Sequence, residues 1–131
     1  MKSSVRVCAS LGLATLIFAG ATIAQAPGIK RTVLQRIDLG NGMEVILGLA
    51  EIAPGASVGR HSHFGVETGY ALAGQSSFEV EGEPPRLMNP GDSYAIPAGK
   101  VHDAKVVGDV PARVLAVYVV EKGKPLATPA R

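Results

Sequence analysis

Residues 55–74 read GASVGRHSHFGVETGYALAG. His61 and His63 stand two apart. On a strand, residues i and i+2 point to the same face, so both imidazoles can reach one point. Glu67 follows four residues later, after Phe64-Gly65-Val66. A short turn there lets the next strand run back beside the first and aim the carboxylate at the same point. On a regular strand, Gly69, Ala71 and Ala73 share the face of Glu67 and leave room beside it, while Tyr70 and Leu72 face the other way. Arg60 and Asp103 adjoin histidines in sequence, so they point away and act, if at all, by orienting a neighbour.

A second stretch supplies a third imidazole. Residues 91–102 read GDSYAIPAGKVH, and His102 begins a strand just past the Pro97-Ala98-Gly99 turn. Three imidazoles and one carboxylate suit one divalent transition metal ion: zinc, iron, manganese, cobalt, nickel or copper. Four protein ligands on an ion that accepts five or six leave positions for water, oxygen or substrate. Singly, each residue has an ordinary reading: a solvated histidine pair, a surface carboxylate, a hydrogen-bonded loop histidine. Phe64, Phe78 and Tyr94 are candidate pocket linings, with core packing as the competing role.

Around these stretches the chain reads as strands and turns. Residues 43–52 (MEVILGLAEI) are rich in β-formers and end at Pro54-Gly55. Phe78 and Val80 alternate with Glu79 and Glu81, the period of a half-exposed strand, and Gly82 turns it. Asn89-Pro90-Gly91-Asp92 is a strong turn signal. Residues 112–120 (ARVLAVYVV) are nearly uninterrupted and apolar, as in a strand covered on both faces. Beyond Ala26 no dozen residues sustain a helical stripe free of Gly and Pro. Short strands with closely spaced turn signals predict an all-β sandwich or barrel. Gly55, Gly74 and Gly91 flank strands, where left-handed backbone costs glycine little. The tail, residues 121–131, lacks periodicity and reads as loosely held.

The first 24 residues read as an export signal. Lys2 and Arg6 precede an apolar run over residues 7–24, and small residues at Thr22, Ala24 and Ala26 offer cleavage sites. Cleavage after Ala24 is favoured over Ala26, because Pro27 follows the latter bond. The alternative is an uncleaved anchor, since about 18 apolar residues sit at the lower limit for spanning a bilayer. The expected location is periplasmic or secreted, with no membrane contact once the signal is gone. Removing residues 1–24 takes away Lys2 and Arg6, so Lys+Arg falls from 13 to 11 and equals the 11 Asp+Glu. The net charge of +2 therefore belongs to the signal, and nothing points to nucleic acid as partner. Cys8, the one cysteine, leaves as well, so a thiolate metal site is excluded. No nucleophile-elbow serine, phosphate loop or dinucleotide fingerprint is present.

The two stretches together resemble the paired motifs of the cupin superfamily. Gly55, His61, His63, Glu67 and Gly74 stand at the spacing of the first motif, and Gly91, Pro97, Gly99 and His102 at that of the second. The 16 residues from Gln75 to Pro90 lie between them, as in small microbial cupins. Val106 stands where the second motif usually closes with Asn, and Phe64 where the first often has Pro. The resemblance implies an all-β, single-domain jelly-roll barrel over residues 46–120, after an N-terminal strand or arm over residues 25–45. It also implies a metal held inside by His61, His63, Glu67 and His102.

A fold of this kind does not choose a reaction. The first expectation is a metal-dependent enzyme, dioxygenase- or isomerase-like, acting on a small organic molecule, with Glu67 as a possible acid or base. The second is a non-catalytic periplasmic module that binds a small ligand or metal; a third is a relic with an empty site. A homodimer is expected, because small cupins often pair and the 112–120 run is apolar on both faces.

Overall fold

The computed structural model describes residues 26–131. The expected signal peptide, with Cys8, lies outside the described residues. Within them there is no helix; ten strands form two five-stranded sheets. The first sheet has the order β1 (Ile29–Gly40), β2 (Met43–Ile52), β9 (Ala112–Glu121), β4 (Gly65–Ala73) and β7 (Ser93–Ile96). The second has the order β10 (Thr128–Pro129), β3 (His61–Ser62), β8 (His102–Val107), β5 (Gln75–Val80) and β6 (Arg86–Met88). Every strand pairing is antiparallel. This is the all-β jelly-roll arrangement, with the core between the sheets.

The hydrophobic pattern explains the placement. In β5, Phe78 and Val80 are buried and Glu79 is exposed, as strict alternation requires. Phe78, Val80, Met88 and Ile96 form one core cluster; Ile46, Ala116, Tyr118 and Val120 form another. Val106 is buried with Ile29, Ile52 and Ala112, so a packed side chain occupies the position where an Asn was expected. Gly74 turns the chain from β4 into β5 with φ +70°, and a Cβ there would meet the Pro111 carbonyl oxygen at 2.5 Å. No other residue fits that corner without a shift of backbone.

Three expectations need revising. The chain after His63 does not fold back beside β3. Both edges of β3 are already taken by β10 and β8, and β4 instead crosses to the other sheet, pairing with β9 and β7. Glu67 therefore faces the histidines from the opposite wall. Strand β9 is buried on its inner face alone; Leu115, Val117 and Val119 on its outer face are half-buried. The tail is held as well. Thr128 and Pro129 pair with Ser62 and His61, the Ala130 amide donates to the Arg60 carbonyl at 2.9 Å, and Leu126 packs on the Tyr118 cluster. Backbone hydrogen bonds and one leucine suffice for this, and neither requires periodicity.

Candidate metal centre

Strands β3 and β8 lie side by side, so His61 and His102 are directly paired across the second sheet. His63 follows β3, and Glu67 comes from β4 opposite. One ligand atom from each of the four lies within 4.8 Å of all the others. His63, Glu67 and His102 are buried and His61 is half-buried. The ring centroids stand 4.2 to 5.2 Å apart.

Backbone carbonyls set the histidine tautomers. His61 Nδ1 lies 2.7 Å from the Gly59 oxygen, His63 Nδ1 2.5 Å from the Leu126 oxygen, and His102 Nδ1 3.0 Å from the Lys100 oxygen. A carbonyl only accepts, so each Nδ1 donates its proton outward and each Nε2 presents a lone pair inward. Asp103 fixes one of these supports. Its carboxylate accepts from the Ser57 hydroxyl at 2.8 Å and from the Gly59 amide at 2.9 Å, anchoring the residue that holds His61. Arg60, by contrast, pairs with Glu81 at the surface.

The donor set suits a cation. His63 Nε2 stands 2.8 Å from Glu67 Oε2 and yet has no hydrogen-bond partner. Its proton sits on Nδ1, so a nitrogen lone pair faces a carboxylate oxygen in a dry place. Such an orphaned pair costs about 1–3 kcal/mol or more unless something positive lies between. His102 Nε2 stands 3.1 Å from the same oxygen. Burial disfavours the charged His102 ring, but the bond to Glu67 outweighs it and the pKa is raised. The site contains nitrogen and oxygen donors only, as a divalent transition metal accepts.

The remaining electrostatics agree. Burial alone would raise the Glu67 carboxyl; the bond to His102, the neighbouring His63 ring and the bond from Tyr94 overcome it and hold the group well below the usual carboxylate range. Burial lowers His61 to about 4, so it is neutral at pH 7. The Tyr94 hydroxyl donates to Glu67 Oε1 at 2.6 Å, leaving Oε2 toward the histidines. Burial first, then the Glu67 charge, push the Tyr94 and Tyr118 hydroxyls up, so both stay protonated. Gly69 makes the Tyr94 contact possible, because a Cβ there would stand 2.2 Å from the Tyr94 ring.

Beside these residues lies a cavity of about 60 Å³. At about 10–15 Å³ per water-sized group, it holds roughly four to six of them. Ala71 lines it as the small-residue pattern predicts, and so do Phe78 and Tyr94. Phe64 does not. It is exposed, with the Lys124 ammonium over its ring. Arg31, Tyr118 and Leu126 also line the cavity, and sequence reasoning missed all three. Only Tyr118 carried a signal: it shares a strand face with Ala116 and Val120, on the inward side of β9.

Two antiparallel sheets around an inward-facing cluster of three histidines and a carboxylate define a β-barrel with a group that could hold a metal ion. The cupin domain family matches residues 48–118, more than half of the sequence, and the chain belongs to it. Among curated proteins no sequence matches. Among solved structures, the DMSP lyase DddQ from Ruegeria pomeroyi is similar at 26% identity and TM-score 0.59, over 66% of this chain and 43% of that one. A cupin superfamily protein from Desulfitobacterium hafniense is similar at 19% identity and TM-score 0.59, over 76% of this chain and 84% of that one. A recombinant oxalate oxidase in complex with glycolate is similar at 21% identity and TM-score 0.63, over 84% of this chain and 59% of that one. The chain thus spans less than two thirds of the length of either enzyme.

Proposed function

We propose that this cupin is a metal-dependent enzyme acting on a small organic molecule, of the dioxygenase- or isomerase-like kind. The observation that carries the reading is the convergence of three imidazoles and the Glu67 carboxylate in the lining of a cavity sized for a small ligand. The lyase and the oxidase among its structural neighbours support it. His61, His63, Glu67 and His102 would hold the ion. A bound divalent ion supplies Lewis acidity and open coordination positions. Glu67 would accept a proton at Oε2 only when that oxygen swings off the ion, while Tyr94 keeps Oε1 occupied and the carboxylate oriented. The apolar walls exclude water from the reacting molecule.

Elemental analysis of protein purified from its native compartment, followed by substrate panels with oxygen uptake, tests this. We expect about one equivalent of iron, manganese, zinc, nickel, cobalt or copper, lost on replacing His61 and His63 with Ala, and turnover of at least one small organic substrate. Metal-loaded protein inert across the panel overturns the catalytic reading. The second reading is then a periplasmic module that binds a small ligand or metal, favoured by how few of the described residues lie outside the two sheets. Stabilisation by a metabolite without turnover marks it.

Two further proposals concern context. Residues 1–24 direct export, and N-terminal sequencing that finds an intact Met1 in the exported protein refutes cleavage. Two copies pair through the outer face of the first sheet. There Val66, Tyr70 and Leu72 are exposed beside the half-buried Leu115, Val117 and Val119.

A further inference from the structure

We infer that the cavity takes small carboxylates and that Arg31 is the side chain that selects them; this names a substrate class for the metal-dependent reading above and rests on it. Arg31 lies on edge strand β1, directly paired with Ala50. Paired residues in a sheet point to the same face. Ala50 is in turn paired with Val114, and Val114 with Ala71, and all four residues line the cavity that contains the histidines and Glu67. One row of the sheet thus ends in a guanidinium. The parallel row four residues away runs through Tyr118 to Glu67. Between the two rows the sheet carries Gly69, Ala116, Gly48 and, on the edge strand, Val33; the Tyr94 ring covers Gly69 and the Tyr118 ring stands over Gly48. Arg31 and the histidine–carboxylate group thus line one cavity, and the small side chains of Ala50, Ala71 and Ala116 line it with them.

Arg31 is the one lysine or arginine among the described residues lining the cavity, and it is half-buried. Its charge reaches the Tyr118 hydroxyl, which burial raises and Arg31 lowers. The cavity's one carboxylate, Glu67, is turned to the histidines and Tyr94. An anion entering finds a planar fork of donors at one end, which matches a carboxylate bidentately. Arg31 is also engaged within the protein, and its five N–H donors allow a carboxylate as an additional partner. Apolar walls strengthen the pairing by excluding water.

Calorimetric titration of metal-loaded protein with lactate and with its neutral amide, lactamide, tests the assignment. Wild-type protein should bind lactate about tenfold or more tightly than lactamide, and Arg31→Gln should weaken lactate about tenfold while changing lactamide by less than about twofold. Metal content should not change. Arg31→Met, which keeps the apolar stem, is read in the same way and guards against a folding defect in the first variant. Equal binding of the two probes by wild type, an unchanged lactate preference in both variants, or equal loss of both probes overturns the inference. Protein that binds no metal refutes the reading above, whereas the lactate–lactamide difference in that same protein still reads Arg31.

Discussion

Gly69→Ala is a one-carbon change that should disable the site from a distance. Its Cβ would stand 2.2 Å from Tyr94 Cζ, whereas ordinary contact begins at 3.4 Å. The ring must retreat by about 1.2 Å, the difference between those distances. Phe78, whose ring centroid lies 4.7 Å from that of Tyr94, stands in part of the way. Moved by that amount along its bond, the Tyr94 hydroxyl goes from 2.6 Å to about 3.8 Å from Glu67, beyond hydrogen-bond reach. Overpacking costs about 1–3 kcal/mol. Losing a hydrogen bond to a charged group costs about 1.5–3 kcal/mol. A total of about 2.5–6 kcal/mol lowers the melting temperature of a domain this size by roughly 10 °C or more. Metal affinity should fall about 10–100-fold, as when other partners that orient a ligand are lost. Thermal unfolding and competitive metal titration read both effects. The decisive control is the same substitution in a Tyr94→Ala background, where the clash is gone and Gly69→Ala should cost little. An equal penalty in both backgrounds would refute the argument.

Other outcomes follow from the same geometry. In metal-free protein His61 titrates near 4 when folded and 6.5 when unfolded, so the unfolded chain binds more protons between those values. Stability should therefore fall as pH drops from 6.5 toward 4, by at most about 3 kcal/mol. His102, raised, opposes this in part, and Glu67, lowered, adds its own loss below pH 4.5. His61→Gln should flatten the upper part of the curve in denaturant melts at several pH values; an unaltered slope would count against the burial argument. Deleting residues 123–131 removes the Leu126 carbonyl from His63 and should weaken metal binding about tenfold or more in a chelator competition, with equal affinity speaking against the tautomer argument. Light scattering should report twice the chain mass, and Tyr70→Glu should halve it; a monomer in wild type refutes the proposed pairing.

The site was legible to the degree that it was local. His61 and His63 obey the period of a strand, and Glu67 and His102 stand at motif spacings, so the four ligands are readable from position alone. The course of the chain between His63 and Glu67 was misread, because five residues do not say which sheet the next strand joins. Gly69 and Tyr94 are 25 positions apart, and their fit appears only once β4 and β7 pair. Arg31 sits in a stretch read only as strand or arm, and its inward face depends on the register with β2. The tail was opaque because a two-residue strand and a single carbonyl leave no pattern.

That carbonyl has a consequence for the order in which the protein becomes competent. Ribosomes make His61, His63, Glu67 and His102 before they make Leu126, which alone among the described residues accepts the His63 Nδ1 proton. A nascent chain with all four ligands already synthesised still lacks the contact that turns the His63 lone pair inward. On the proposed metal reading, the inward lone pair of His63 is set only in chains that include Leu126, and a product truncated before it lacks that contact.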